Sequence, residues 1–123
     1  MKFLVLAYGR EEDWAALSRP VQQALLAADE MLRDRGDLVA AVDTETTVVR
    51  AWTGEVVTTR GPFAAGTTPL AGFGIIDADS LAHAVSLVAD TPCARANGAV
   101  EIRAIVASND DARRLRLGRS KIA

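Results

Sequence analysis

AGFGIIDADSLAHAVSLV, residues 71–88, passes from a strand pattern into a helix pattern with no linker between. Ala71 to Ile76 is a short run of small and apolar residues that reads as a strand. Asp77-Ala78-Asp79 supplies short polar side chains able to cap the helix that follows. Leu81, Ala84, Val85 and Val88 recur at three- and four-residue steps and form the expected inward stripe. Pro92 ends that helix, and Ala99 to Val106 reads as a closing strand. The opening of the chain has the same form. Phe3 to Tyr8 is a nearly continuous apolar run between Lys2 and Gly9, which suits a buried central strand. After a charged loop, Leu17, Val21, Leu25, Ala28 and Leu32 lie on one helical face. Ser18 and Pro20 are its start signals, and Arg33, Arg35 and Gly36 its stop signals.

Between these halves, Leu38 to Val42 and Thr46 to Trp52 have strand composition, with Asp43 to Glu45 as a polar break. Thr53-Gly54 is a tight turn into Glu55 to Thr59, giving a hairpin. Gly61 to Pro69, with two glycines and two prolines, is a loop. The order predicts an α+β fold, a ferredoxin-like βαββαβ antiparallel sheet with two helices on one face. Residues 1–106 form this domain, followed by a basic tail over 107–123. Side chains alternate across a sheet, so Val5, Val49, Val57, Phe73, Ile75 and Ile102 cannot all face the helices. The bare face needs cover, and packing two sheets face to face predicts a homodimer.

At 123 residues one core is expected, and with 5% aromatic residues it must be built from Val, Leu, Ile and Ala. The net charge of -2 argues against a general nucleic-acid or anionic-membrane surface. Cys93 is the sole cysteine, so no internal disulfide forms, and no Cys/His cluster has zinc spacing. A reducing cytoplasm is the expected home. The apolar start breaks at Gly9-Arg10-Glu11-Glu12-Asp13, too early for a signal peptide, and no run reaches the ~20 residues of a membrane span.

The opening Met-Lys-Phe-Leu-Val-Leu-Ala-Tyr-Gly with Trp14, the segment from Val56 to Ala64, Leu70-Ala71-Gly72-Phe73 and Val100-Glu101-Ile102-Arg103 together resemble the YCII-related family. They match the branch named for its Asp-Gly-Pro-Phe motif and cover residues 1 to about 106 in order. The resemblance implies a dimeric α+β barrel with a small pocket between sheet and loops in each protomer. Two departures stand out. Arg60 replaces the aspartate before Gly61-Pro62-Phe63, reversing the charge there, and Ala65 to Thr68 lack the charged residues that usually follow. The His and Asp pair of better-known members is also missing.

The only histidine, His83, stands about 200° around the helix from Leu81, which makes it solvated. Haem-binding relatives of the barrel place an axial histidine on a helix, but the sequence calls for no cofactor and no metal. Arg50, Arg60 and Arg103 lie in or at the ends of strands. Two of them converging would hold an anionic ligand with the guanidinium fork; the plainer reading pairs Arg103 with a carboxylate across the sheet and leaves Arg60 on a surface loop. Asp43 and Glu101 are the strand-associated carboxylates available as general acid or base, with Glu101 equally suited to an exposed edge. Tyr8 offers a hydroxyl at a strand end. Phe63 and Phe73 would line the pocket wall, while Trp14 and Trp52 pack. Cys93 follows Pro92 without a neighbouring histidine, so nothing marks it as a nucleophile.

These residues describe a homodimeric small-molecule-binding protein with a site of Tyr8, Arg50, Arg60, Phe63, Phe73 and Arg103 for a small anionic or aromatic ligand. A rival is a cofactor-free lyase or isomerase with Asp43 or Glu101 as base. A third is a regulatory or interaction module.

Overall fold

The structure, a computed structural model, describes residues 1–64 and 66–108. Four strands form the main sheet: β1 (Lys2–Tyr8), β2 (Leu38–Ala41), β5 (Leu70–Asp77) and β6 (Ala99–Ala104), in the antiparallel order β2-β5-β1-β6. β3 (Thr47–Arg50) and β4 (Val57–Arg60) form a separate two-stranded hairpin between β2 and β5. With that hairpin set aside, the strands follow the ferredoxin-like plan. β1 is central, as its unbroken apolar run requires, with Val5 between Gly74 of β5 and Ile102 of β6.

The long helix α2 (Arg19–Asp34) begins where the sequence signals it, with Ser18 extended at the N-cap and Pro20 in the first turn. Its end is a Schellman motif. Gly36 takes φ +95°, its N–H donates to Arg33 O, and the N–H of Asp37 donates to Leu32 O. α3 (Leu81–Val88) is capped by Ser80, whose hydroxyl accepts the His83 N–H at 3.1 Å, one residue beyond the predicted Asp77–Asp79 cap. The shift has a reason: Asp77 is still in β5, donating its N–H to Asp37 Oδ1 while its carboxylate accepts from the Met1 amine.

Four sequence expectations need correction. The charged loop after β1 contains a short helix, α1 (Glu11–Ala15), with three acidic residues in its first turn. Pro92 opens a one-turn helix, α4 (Pro92–Arg95), because α3 has already stopped at Val88, whose carbonyl is taken by the Thr91 N–H and hydroxyl. The inward line of α3 runs through Ala84 and Val88, while Leu81 and Val85 are exposed. Trp52 is 88% exposed on the hairpin rather than packed.

The core joins Phe3, Val5 and Ile76 of the sheet to Leu32 of α2 and Ala84 and Val88 of α3. Both long helices therefore cover one face. The other face carries two apolar rows. Leu38, Ile75 and Leu4 lie side by side and end at Arg103; Ala40, Phe73 and Leu6 end at Glu101.

Candidate functional site

The register that builds the sheet also opens a hollow in its helix-side face. Ala41, Gly72, Ala7 and Val100 are neighbours across four strands, and the next row is Val39, Gly74, Val5 and Ile102. Side chains of one row share a face, so three of the four residues in the first row reach no further than a methyl group. The layer above cannot descend to fill the gap, since α2 rests on Leu32 and α3 on Ala84 and Val88. A cavity of about 160 Å³ results, bounded above by Leu32, Val88, Thr91, Pro92 and Cys93.

Glycine is required in this floor for a second reason. A Cβ on Gly72 would come 2.6 Å from Ala40 O, and one on Gly74 2.7 Å from Leu38 O. Gly98 likewise lets the chain leaving α4 pass against Tyr8 O and Cys93 O. Asn97 takes the left-handed conformation just before it. Cys93 is held over the end of β1, where a Cβ on Gly9 would meet its Sγ at 3.0 Å.

Four polar side chains border the cavity: Asp29 and Arg33 of α2, and Thr91 and Cys93 at α4. Three are committed or weak. The Thr91 hydroxyl donates to Val88 O at 2.6 Å, and Arg33 Nη1 donates to Glu30 at 3.1 Å. A thiol is a poor hydrogen-bonding group. The Asp29 carboxyl makes no hydrogen bond or ion pair among the described residues. Burial pushes its pKa above the ordinary carboxylate range, and the Arg33 charge opposes that rise in part. Burial also pushes the Cys93 thiol up, with the Asp29 charge adding to it, so the thiolate is disfavoured.

The residues singled out from sequence mostly lie elsewhere. Phe73 borders the cavity through its strand, but alternation places it in a row with Leu6 and Ala40 on the opposite face. Arg103 sits on that face too, 3.4 Å from Glu101, with both side chains exposed; the pair runs along β6, between residues two apart on one strand, and not across the sheet. Asp43 is in the turn between β2 and β3, accepting the Glu45 N–H at 3.2 Å. Arg50 lies over Trp52 and Phe63, 5.7 and 5.5 Å from their ring centres. Arg60 is exposed at the end of β4, opposite Thr47. Tyr8 ends β1 between Leu70 and Ala99. Arg50 pairs with Val57 and Arg60 with Thr47, so alternation puts these two on opposite faces of the hairpin, while Arg103 belongs to the main sheet. His83 accepts the Asp79 N–H on Nδ1 at 3.0 Å and serves the start of α3.

Asp29 and Cys93 were missed. Asp29 follows Leu25 by four residues and precedes Leu32 by three, so its place on the inward stripe was readable. Cys93 had no such signal, since its position depends on a helix too short to show periodicity. Among the described residues no group of three or more His, Cys, Asp or Glu could hold a metal ion, and no helix is long and apolar enough to cross a membrane.

Comparison with known proteins gives one family match, the YCII-related domain, over residues 1–109. Among solved structures the chain is similar to 5-chloro-2-hydroxyhydroquinone dehydrochlorinase (TftG) from Burkholderia phenoliruptrix AC1100, in complex with 2,5-dihydroxybenzoquinone. Identity is 18%, covering 89% of this chain and 98% of that one, with a TM-score of 0.47. No curated protein matches the sequence.

Proposed function

Since the chain belongs to the YCII-related family, we propose that it is a homodimeric small-molecule-binding protein whose ligand occupies the cavity between the sheet and helices α2 to α4. The observation that carries this reading is the cavity itself, about 160 Å³ of largely apolar space held open by a register row of small residues. An unfilled hollow forfeits packing, and a protein retains one most readily where something else fills it.

The homodimer follows from the two apolar rows on the opposite face, Leu38, Ile75, Leu4 and Ala40, Phe73, Leu6. Packing them against a second copy would remove them from water. We further assign the chain to the Asp-Gly-Pro-Phe branch with Arg60 in place of the aspartate. Gly61, at φ +102°, makes the turn out of β4 that Pro62 and Phe63 continue. The free Cys93 thiol suits the cytoplasm.

Native mass spectrometry of the purified protein tests both halves at once. The expected spectrum is a dimer carrying a small adduct. A bare monomer would overturn the reading and point to an interaction module.

A second reading, a cofactor-free isomerase or lyase, is favoured by one observation: an unpartnered carboxyl in an apolar cavity, with its pKa raised, suits general acid–base work. It requires that Asp29→Asn abolish turnover while the fold persists.

A further inference from the structure

The cavity's dimensions and its one uncommitted polar group together restrict what it can hold. A closed apolar space of roughly 150 Å³ accepts a guest the size of benzene, and the hollow over Gly72 is about 160 Å³. A single ring fills that volume. Its floor and most of its walls are hydrocarbon, from Val5, Ala7, Val39, Leu32, Val88 and Val100. Such a surface favours an apolar body and gives it no orientation.

Orientation must come from Asp29. A protonated carboxyl both donates and accepts, and an ionised one accepts, so either state pairs with a hydroxyl or amino group on the guest. A guest carboxylate finds a donor there only while Asp29 keeps its proton. An ionised Asp29 repels it, and taking the guest's charge out of water is costly. The cation nearest at hand, Arg33, borders the hollow, but its Nη1 is on Glu30 and its side chain is 47% exposed, so solvent screens its charge. The arginines suited to an anion are elsewhere: Arg50 over Trp52 and Phe63, Arg60 at the end of β4, and Arg103 beside Glu101.

We propose that the cavity selects uncharged, single-ring guests bearing a hydroxyl or amino group, held by a hydrogen bond to Asp29, and discriminates against ring carboxylates. This rests on the reading of the cavity as the ligand site. It departs from an anion site built of arginines, and it names Asp29 as the specificity-determining residue.

The test uses the full chain with phenol, benzene and benzoate as probes, by ligand-observed NMR titration at neutral pH. Wild type should bind phenol about tenfold more tightly than benzene, the size of one net hydrogen bond, and benzoate more weakly than either. Asp29→Leu should erase the preference for phenol while keeping benzene. Asp29→Asn, nearly the same shape and able to donate and accept, should keep most of it and guards against a Leu variant that fails to fold. Benzoate binding more tightly than phenol would overturn the inference and leave the cavity reading standing, as would a phenol preference unchanged in both variants. If none of the three probes binds, the cavity reading falls and this inference with it.

Discussion

Asp29 is where local chemistry and stability pull in different directions. A carboxyl whose pKa is higher in the folded chain than in the unfolded one binds its proton more tightly when folded. Unfolding then releases a proton between the two pKa values, so stability falls as pH rises through that window. The contribution is fully present below the ordinary carboxylate range and is lost above the raised value of Asp29. Asn has no such penalty. Asp29→Asn should therefore be more stable than wild type at pH 7, by an amount that solvent screening of a half-buried group keeps small. The difference should close in acid. Urea denaturation at pH 7 and pH 3 checks both signs, and a gap independent of pH would contradict the burial of this carboxyl. Filling the floor gives a second residue-scale prediction. Ala7→Val projects two more carbons into the hollow and should add about 1 kcal/mol of stability while removing probe binding. Thermal melts and the phenol titration read these two effects separately.

At the scale of elements, α3 shows how much depends on its first turn. Its eight residues would not hold a helix alone. Ser80 accepts the orphan N–H of His83, and His83 Nδ1 accepts the N–H of Asp79 just before the cap. Ser80→Ala should cost about 1 kcal/mol, measured by denaturant unfolding; a change within error would mean that the sheet, not the cap, sets the start of α3. The same scale shows what was legible in the sequence. α2 could be bounded from Ser18 and Gly36 because capping is local chemistry written in adjacent residues. The strands followed from apolar runs, although their ends moved by a few residues. α1 and α4 were unreadable, since a helix of one turn shows no period. The cavity was unreadable for a different reason. Ala7, Ala41 and Gly72 lie far apart along the chain and become one row only when β1, β2 and β5 are set in register. The arginines in strands lie off this face: Arg103 is in the row with Leu4 on the opposite side of the sheet, and Arg50 and Arg60 belong to the hairpin.

For the whole molecule, the sheet separates two roles. One face, under the helices, holds the core and the cavity; the other carries the paired apolar rows that end at Arg103 and Glu101. A charge placed in the middle of those rows should oppose association without touching the cavity. Leu6→Asp is accordingly expected to convert a dimer to a monomer in sedimentation experiments while phenol binding stays within about twofold, on the additivity of separated sites. A wild-type chain that sediments as a monomer would remove the homodimer from this account.

Ligand binding on the helix side of the sheet can be read out by methyl NMR. With Val, Leu and Ile methyl groups assigned, phenol is titrated into the full chain. Progressive shifts are expected at Leu32, Val39, Val88 and Val100, with Leu4, Leu6 and Ile75 unmoved. Shifts confined to Leu4, Leu6 and Ile75, or to Val49 and Val57 of the hairpin, would contradict it and move the binding site to the opposite face or to the arginine and aromatic cluster.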